Sequence, residues 1–214
     1  MKKTSLKKML IITYALIALI VAAVVSGVAI YYIRSSTDMA YSNYEDAMNQ
    51  GYNTEIKSEV QSSIAVIEYY YNRFKAGELT EEQAKTEAKE AVRKMRYRDD
   101  NSGYMWIDAS DYSLVMHPIL PQNEGQNRYT LQDQNGVMII QEIMKTANNG
   151  GGYNQFYFTK ADGVTVALKV AYSQKFEPWG WIVTTGNYVD DMEAEMSEVK
   201  GQIRDNFSSM EIGR

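Results

Sequence analysis

The 214-residue sequence contains no cysteine. Disulfides, thiolate metal sites and cysteine nucleophiles are therefore excluded, and the chain can fold in any redox compartment. Histidine is almost as scarce: His117 stands alone, so a zinc site has neither a second imidazole nor a thiolate to draw on. No G-x-S-x-G run offers an activated serine. Gly150-Gly151-Gly152 precedes a strand pattern and lacks the Lys-Ser/Thr of a phosphate-binding loop. The acidic run that starts at Asp99 has its glycine at the fifth place and Ser110 where a calcium loop needs its closing glutamate. Basic charge is in deficit, with a net charge of −5, which excludes a general attraction to nucleic acid. No cofactor and no metal is expected. An enzyme built on His117 as base lacks a partnered nucleophile.

What the chain does have is a long apolar run. Lysines at 2, 3, 7 and 8 precede Met9–Ile33, which carries no charge before Arg34. About 20 apolar residues cross a bilayer, and the flanking lysines favour a cytoplasmic N-terminus. The competing reading is a cleaved signal peptide, whose apolar core is about 7–15 residues. The organisation expected is a cytoplasmic N-terminus over 1–8, a transmembrane helix over 9–33, an extracytoplasmic domain over 34–207 and a tail over 208–214.

From Ser35 to Ala76 there is no proline and one glycine, Gly51. Ile56, Val60, Ile64, Ile67, Tyr71 and Phe74 recur at helical spacing. That predicts either one long helix continuous with the span or two helices broken near Gly51. Thr80-Glu81-Glu82-Gln83 is a capping box, so a second helix runs from there to about Tyr97. Tyr104–Asp108 and Tyr112–Met116 read as strands, and Gly136–Ala147 as a helix. Tyr153–Lys160 and Val164–Ser173 read as a hairpin turning on Ala161-Asp162-Gly163, Trp179–Asn187 as a strand, and Tyr188–Phe207 as a charge-rich amphipathic helix. The fold class is α+β, an antiparallel sheet flanked by helices.

Side chains alternate along a strand. Tyr104, Trp106 and Asp108 therefore share one face, with Arg96 before them and His117 after. This makes one wall of a small anion pocket. Lys169 lies among small residues on its strand, and Tyr157 on the preceding strand can bring a hydroxyl beside it. Each has a structural alternative: Arg96 as a solvated helix end, Lys169 as the outward member of its strand, Tyr157 as packing, His117 as a satisfied core histidine.

These residues carry a resemblance. Met95-Arg96-Tyr97, Gly103-Tyr104-Met105-Trp106-Ile107, His117-Pro118, Asp133-Gln134-Asn135-Gly136, Gly151-Gly152-Tyr153, Tyr157-Phe158, Lys169, Tyr172, Pro178-Trp179-Gly180-Trp181-Ile182 and Thr185-Gly186 follow one order. The chain over about 35–205 resembles the single Cache domain (sCache_2 type) of bacterial methyl-accepting chemotaxis receptors and related sensor kinases. The resemblance implies a long N-terminal helix on a PAS-like antiparallel sheet. It also implies a pocket for a small organic acid such as acetate, propionate, pyruvate or lactate, contacted by Arg96, Tyr104, His117, Tyr157 and Lys169. Trp106 would form an apolar wall, and Tyr153, which stands where the family varies an aromatic, is a further expected ligand contact. One departure is Gly125-Gln126, where the family usually has glycine followed by lysine.

The implied role is a sensor in the inner membrane, non-enzymatic, with homodimerisation through the long helices and a cytoplasmic signalling module if the chain is part of a longer one. The alternatives are the sensor region of a histidine kinase or cyclase, or a membrane-tethered binding protein without output.

Overall fold

In a computed structural model the described residues are 6–212, with side chains described for 6–205. Lys2 and Lys3, expected on the cytoplasmic side, and the last two residues of the expected tail lie outside them. The chain divides into two units, Met1–Met48 and Asn49–Arg214.

Helix α1 (Leu6–Lys75) begins in the first unit and runs through Gly51 without a break, so the one-helix reading holds. Its N-terminal part is long and apolar enough to cross a membrane, and its large side chains from Leu6 to Ile33 face outward. Within the second unit α1 buries Tyr52, Ile56, Val60, Ser63 and Ile67, one stripe at helical spacing.

Helix α2 (Glu81–Lys94) starts at the predicted capping box: Thr80 accepts from the Gln83 amide while the Gln83 side chain accepts from the Thr80 amide. Strands β1 (Trp106–Ala109) and β2 (Leu114–Met116) follow. A loop holding a short 3-10 turn at Pro121–Asn123 leads to helix α3 (Ile139–Asn148). Then come β3 (Gly152–Thr159), β4 (Val166–Phe176), β5 (Trp181–Tyr188) and helix α4 (Val189–Ile212). The five strands form one sheet in the order β2-β1-β5-β4-β3, antiparallel throughout.

Each sheet face buries its own apolar set. Met105, Ile107, Tyr172, Phe176 and Val183 pack with Ile56, Val60 and Ile67 of α1 and Ala88 and Val92 of α2. Tyr104, Trp106, Phe156, Ala171 and Ile182 pack with Ile139, Ile140 and Ile143 of α3. The predicted alternation of Tyr104, Trp106 and Asp108 against Met105 and Ile107 is thus observed.

One register differs from expectation. A turn of Ala161-Asp162-Gly163 between Lys160 and Val164 would set Gln155 opposite Lys169. The strands instead end at Thr159 and begin at Val166, so Phe156 pairs with Lys169 and Tyr157 with Leu168. Asp162 makes the difference: its carboxylate accepts from the Val164 and Thr165 amides and the Thr165 hydroxyl, winding Val164 and Thr165 into the turn. A one-residue shift exchanges the faces of a strand. Tyr157 therefore lies on the opposite side of the sheet from Lys169, and Phe156 and Phe158 take its place.

The crossing of β4 and β5 is close. A Cβ on Gly186 would stand 2.4 Å from the Val170 carbonyl oxygen and 2.8 Å from the Ala171 Cα, both backbone atoms. Gly186→Ala must push two central strands apart. It is expected to lower unfolding stability by about 1–3 kcal/mol, read as a lower urea midpoint by tryptophan fluorescence; an unchanged midpoint would refute the close packing.

Candidate functional site

Lys169 is the central group. It sits mid-strand on β4, is 1% exposed, and has no acidic partner among the described residues. Its Nζ lies 4.8, 5.1 and 4.6 Å from the ring centres of Tyr104, Trp106 and Tyr188, and donates to the Tyr104 hydroxyl at 3.4 Å. Ring faces attract the ammonium but replace its lost hydration poorly. Burial alone pulls its pKa from 10.5 down to about 7. The Tyr104 hydroxyl is hydrogen-bonded in turn to that of Tyr188, which donates to the Thr159 carbonyl at 2.8 Å.

His117, 2% exposed, is fixed by its backbone and its ring. Its amide donates to Glu124 Oε1 at 3.0 Å, and Glu124 is gripped at both oxygens by Arg93. Its Nδ1 accepts from the Ile119 and Leu120 amides at 3.2 and 3.1 Å. A nitrogen that accepts twice carries no proton, so the neutral ring holds its hydrogen on Nε2, as a donor. Burial, then the Arg128, Lys169 and Arg93 charges, depress its pKa to about 3. The ring stacks on Trp106 at 6.0 Å and lies 5.3 Å from Tyr104.

Arg128 completes the polar set. It reaches in from the loop before α3 and ion-pairs with Asp108 of β1, which is wholly buried and also accepts from Trp106 Nε1 at 3.1 Å. Tyr104, Trp106, His117 and Arg128, with Ile139, Ile140, Phe156 and Phe158, enclose a cavity of about 10 Å³, room for one water. Open clefts of about 860 Å³ and 260 Å³ flank it. The larger is bordered by Tyr104, His117, Arg128 and Phe158, the smaller by Tyr104, Lys169, Asn187 and Tyr188. Tyr104 borders all three spaces.

Of the residues singled out in the sequence, Tyr104, Trp106, His117 and Lys169 are brought together. Three are not. Arg96 is exposed, and its Nη1 donates to the Arg93 and Met95 carbonyls at 2.7 and 2.8 Å, closing the end of α2. Tyr157 lies across the sheet, for the register reason given above. Tyr153, 45% exposed, packs on Tyr172 and donates to the Asn53 carbonyl of α1 at 3.0 Å. Sequence reasoning missed Arg128, Tyr188, Phe156 and Phe158. Arg128 had a signal: it is the one Lys or Arg between His117 and Lys145. No His, Cys, Asp or Glu cluster among the described residues could hold a metal ion.

Comparison with known proteins gives one family. The family model described as single Cache domain 2 matches residues 48–202. The methyl-accepting chemotaxis protein McpP of Pseudomonas putida is 33% identical over 147 residues, 68% of this chain and 26% of that protein. The chain thus spans about a quarter of that curated relative's length. A solved periplasmic sensor domain of a chemotaxis protein superposes with a TM-score of 0.63 at 29% identity, covering 66% of this chain and 98% of that one. A Cache chemosensory domain solved for carboxylic acid recognition does so with 0.63 at 28% identity, covering 67% and 97%.

The lysine has a pH signature. In the unfolded chain Lys169 keeps its proton to about pH 10.5, in the folded chain only to about 7. Between those values the unfolded state binds more protons, so the burial penalty is complete below pH 7 and is relieved as pH rises. Lys169→Met is therefore expected to be the more stable protein at pH 7, with a gap on the order of 3–5 kcal/mol that closes towards pH 10 in urea unfolding. A gap independent of pH would contradict the assignment.

Proposed function

The chain belongs to the single Cache domain 2 family, and on that premise we propose that it is the extracytoplasmic sensor part of a signalling receptor that binds a short carboxylate beside Lys169. The observation that carries this reading is the buried ammonium with three aromatic neighbours and, among the described residues, no acidic side chain to balance it. A charge removed from water needs a counter-charge, and a ligand carboxylate supplies one. Lys169, His117 Nε2 and Arg128 are donors only or carry a donor, which suits an anion. Ile139, Ile140, Phe156 and Phe158 suit a short apolar tail, which enters only as the one-water cavity they line widens on binding. The relative solved for carboxylic acid recognition supports the ligand class.

The extracytoplasmic placement is supported by the N-terminal part of α1 and by the relative that is a periplasmic sensor domain. A binding role, not a catalytic one, fits a histidine whose Nδ1 is fully occupied by backbone amides.

A hydrogen-bonded path supports a signalling role. The Tyr104 carbonyl accepts from Thr185 Oγ1 at 2.6 Å, and that hydroxyl pairs with Tyr97 at 2.8 Å. Tyr97 reaches Asn187, whose amide donates to Glu55 of α1 at 3.1 Å. Arg98 also bonds Glu55 and lies over Tyr52, whose hydroxyl donates to Glu195 of α4 at 2.6 Å. A ligand that moves Tyr104 thus shifts groups bonded to both long helices. To act as a signal it must favour one arrangement over the other.

Calorimetric titration of the full chain in detergent with acetate, propionate, pyruvate and lactate tests the site. At least one of the four should bind. Lys169→Met should weaken it roughly 10- to 100-fold, as expected for a hydrogen bond to a charged partner. Arg96→Ala should change affinity by less than about threefold, since its guanidinium is turned onto the helix end, within the scatter of surface substitutions. Binding of none of these acids, or equal binding by Lys169→Met, would overturn the reading.

A further inference from the structure

The carboxylate reading leaves one feature of the pocket unused, and the inference drawn from it rests on that reading. Two basic side chains stand at the site, Lys169 and Arg128, and only Lys169 has no acidic partner among the described residues. Arg128 donates to Asp108 from Nε at 3.1 Å and from Nη2, and its side chain is 10% exposed. Asp108 is surrounded by donors alone: the two from Arg128 and Trp106 Nε1 at 3.1 Å. A protonated carboxyl needs an acceptor for its hydrogen, and none of the described residues bonded to Asp108 supplies one, so Asp108 is the ionised partner. His117 is neutral, its Nδ1 accepting two amides. The remaining cation that the sequence suggested, Arg96, is bonded to its own helix end.

We propose that Asp108 is a specificity-determining residue: by cancelling the Arg128 charge it leaves the pocket with the single positive charge of Lys169, so the site takes ligands with one carboxylate and rejects dicarboxylates of similar length. A dianion would carry a second charge against the one-water cavity that Ile139, Ile140, Phe156 and Phe158 line on its apolar side, where an unpaired ion is costly. The guanidiniums that border these spaces, Arg128 and Arg98, are already occupied by Asp108 and Glu55. Specificity here comes from a withheld counter-charge as much as from contacts made.

The competing role for the pair is mechanical, since it also ties the loop after β2 to β1. The two roles separate in a titration of the full chain in detergent with acetate and propionate against malonate and succinate. The unaltered chain should bind the best monoacid at least tenfold more tightly than either diacid. Asp108→Asn keeps the shape but frees the Arg128 charge, and should raise diacid affinity at least tenfold while the monoacid stays bound. Gln126→Lys, an exposed position bordering the larger cleft, adds an uncompensated cation without touching the buried pair. It should move the ratio in the same direction at low ionic strength, and it decides the matter if Asp108→Asn does not fold by circular dichroism. Monoacids binding with a ratio that neither folded variant moves would make Asp108 a fastening only and overturn the inference. Binding of no acid to the unaltered chain would instead overturn the carboxylate reading beneath it.

Discussion

A lysine held out of water without an acid to answer it is the constraint on which the rest of this domain turns. Lys169 is placed by the centre of an antiparallel sheet, on a strand bonded on both sides, so it cannot swing to solvent as a surface lysine does. The rings of Tyr104, Trp106 and Tyr188 soften its burial but supply no formal charge. Stability is thus sacrificed at one point of the core, a pattern expected at functional sites. The proposed ligand is the missing part of a core that is otherwise well packed.

Around that charge the fold separates duties between the two faces of one sheet. The face towards α3 carries the pocket, and the face towards α1 and α2 carries packing that connects to the long helices. The two are linked by hydrogen bonds that run from the Tyr104 carbonyl through Thr185 and Tyr97 to Asn187. Side chains of neighbouring strand positions project to opposite faces, so adjacent residues of β5 can serve the pocket and the helix side at once. His117 and Arg128 come from loops, yet neither is loose. Glu124 and Arg93 pin the first, Asp108 the second. A site partly built on loops gains rigidity from such clamps.

Much of this was legible in the chain itself, and what was not has a physical cause. The capping box fixed the start of α2, the helical spacing of Ile56, Val60 and Ile67 fixed the buried stripe of α1, and alternation around Trp106 placed Tyr104 and Asp108 together. Resemblance to the single Cache family then joined His117 and Lys169, which no local pattern connects. Tyr157 was misplaced because faces depend on hairpin register, and the register depends on how many residues Asp162 draws into the turn. Arg96 was misplaced because a guanidinium at a helix end has its own carbonyls to bond, an outcome decided by the last turn of α2. Tyr153 was taken for a pocket residue, but its cross-strand partner is Tyr172 on the α1 side. Arg128 lay in a polar loop without periodicity, so only its solitary charge marked it.

The central claim is that ligand binding restores the charge on Lys169, and its most direct test is the proton balance of binding. Free, Lys169 is held to a pKa of about 7 and is mostly neutral at pH 8.5; beside a bound carboxylate it must be charged. Calorimetry of a binding carboxylate at pH 8.5, repeated in buffers of different ionisation enthalpy, should therefore report uptake of close to one proton per ligand bound. Binding without proton uptake would contradict the account, because the lysine would then be either already charged or not in contact with the acid.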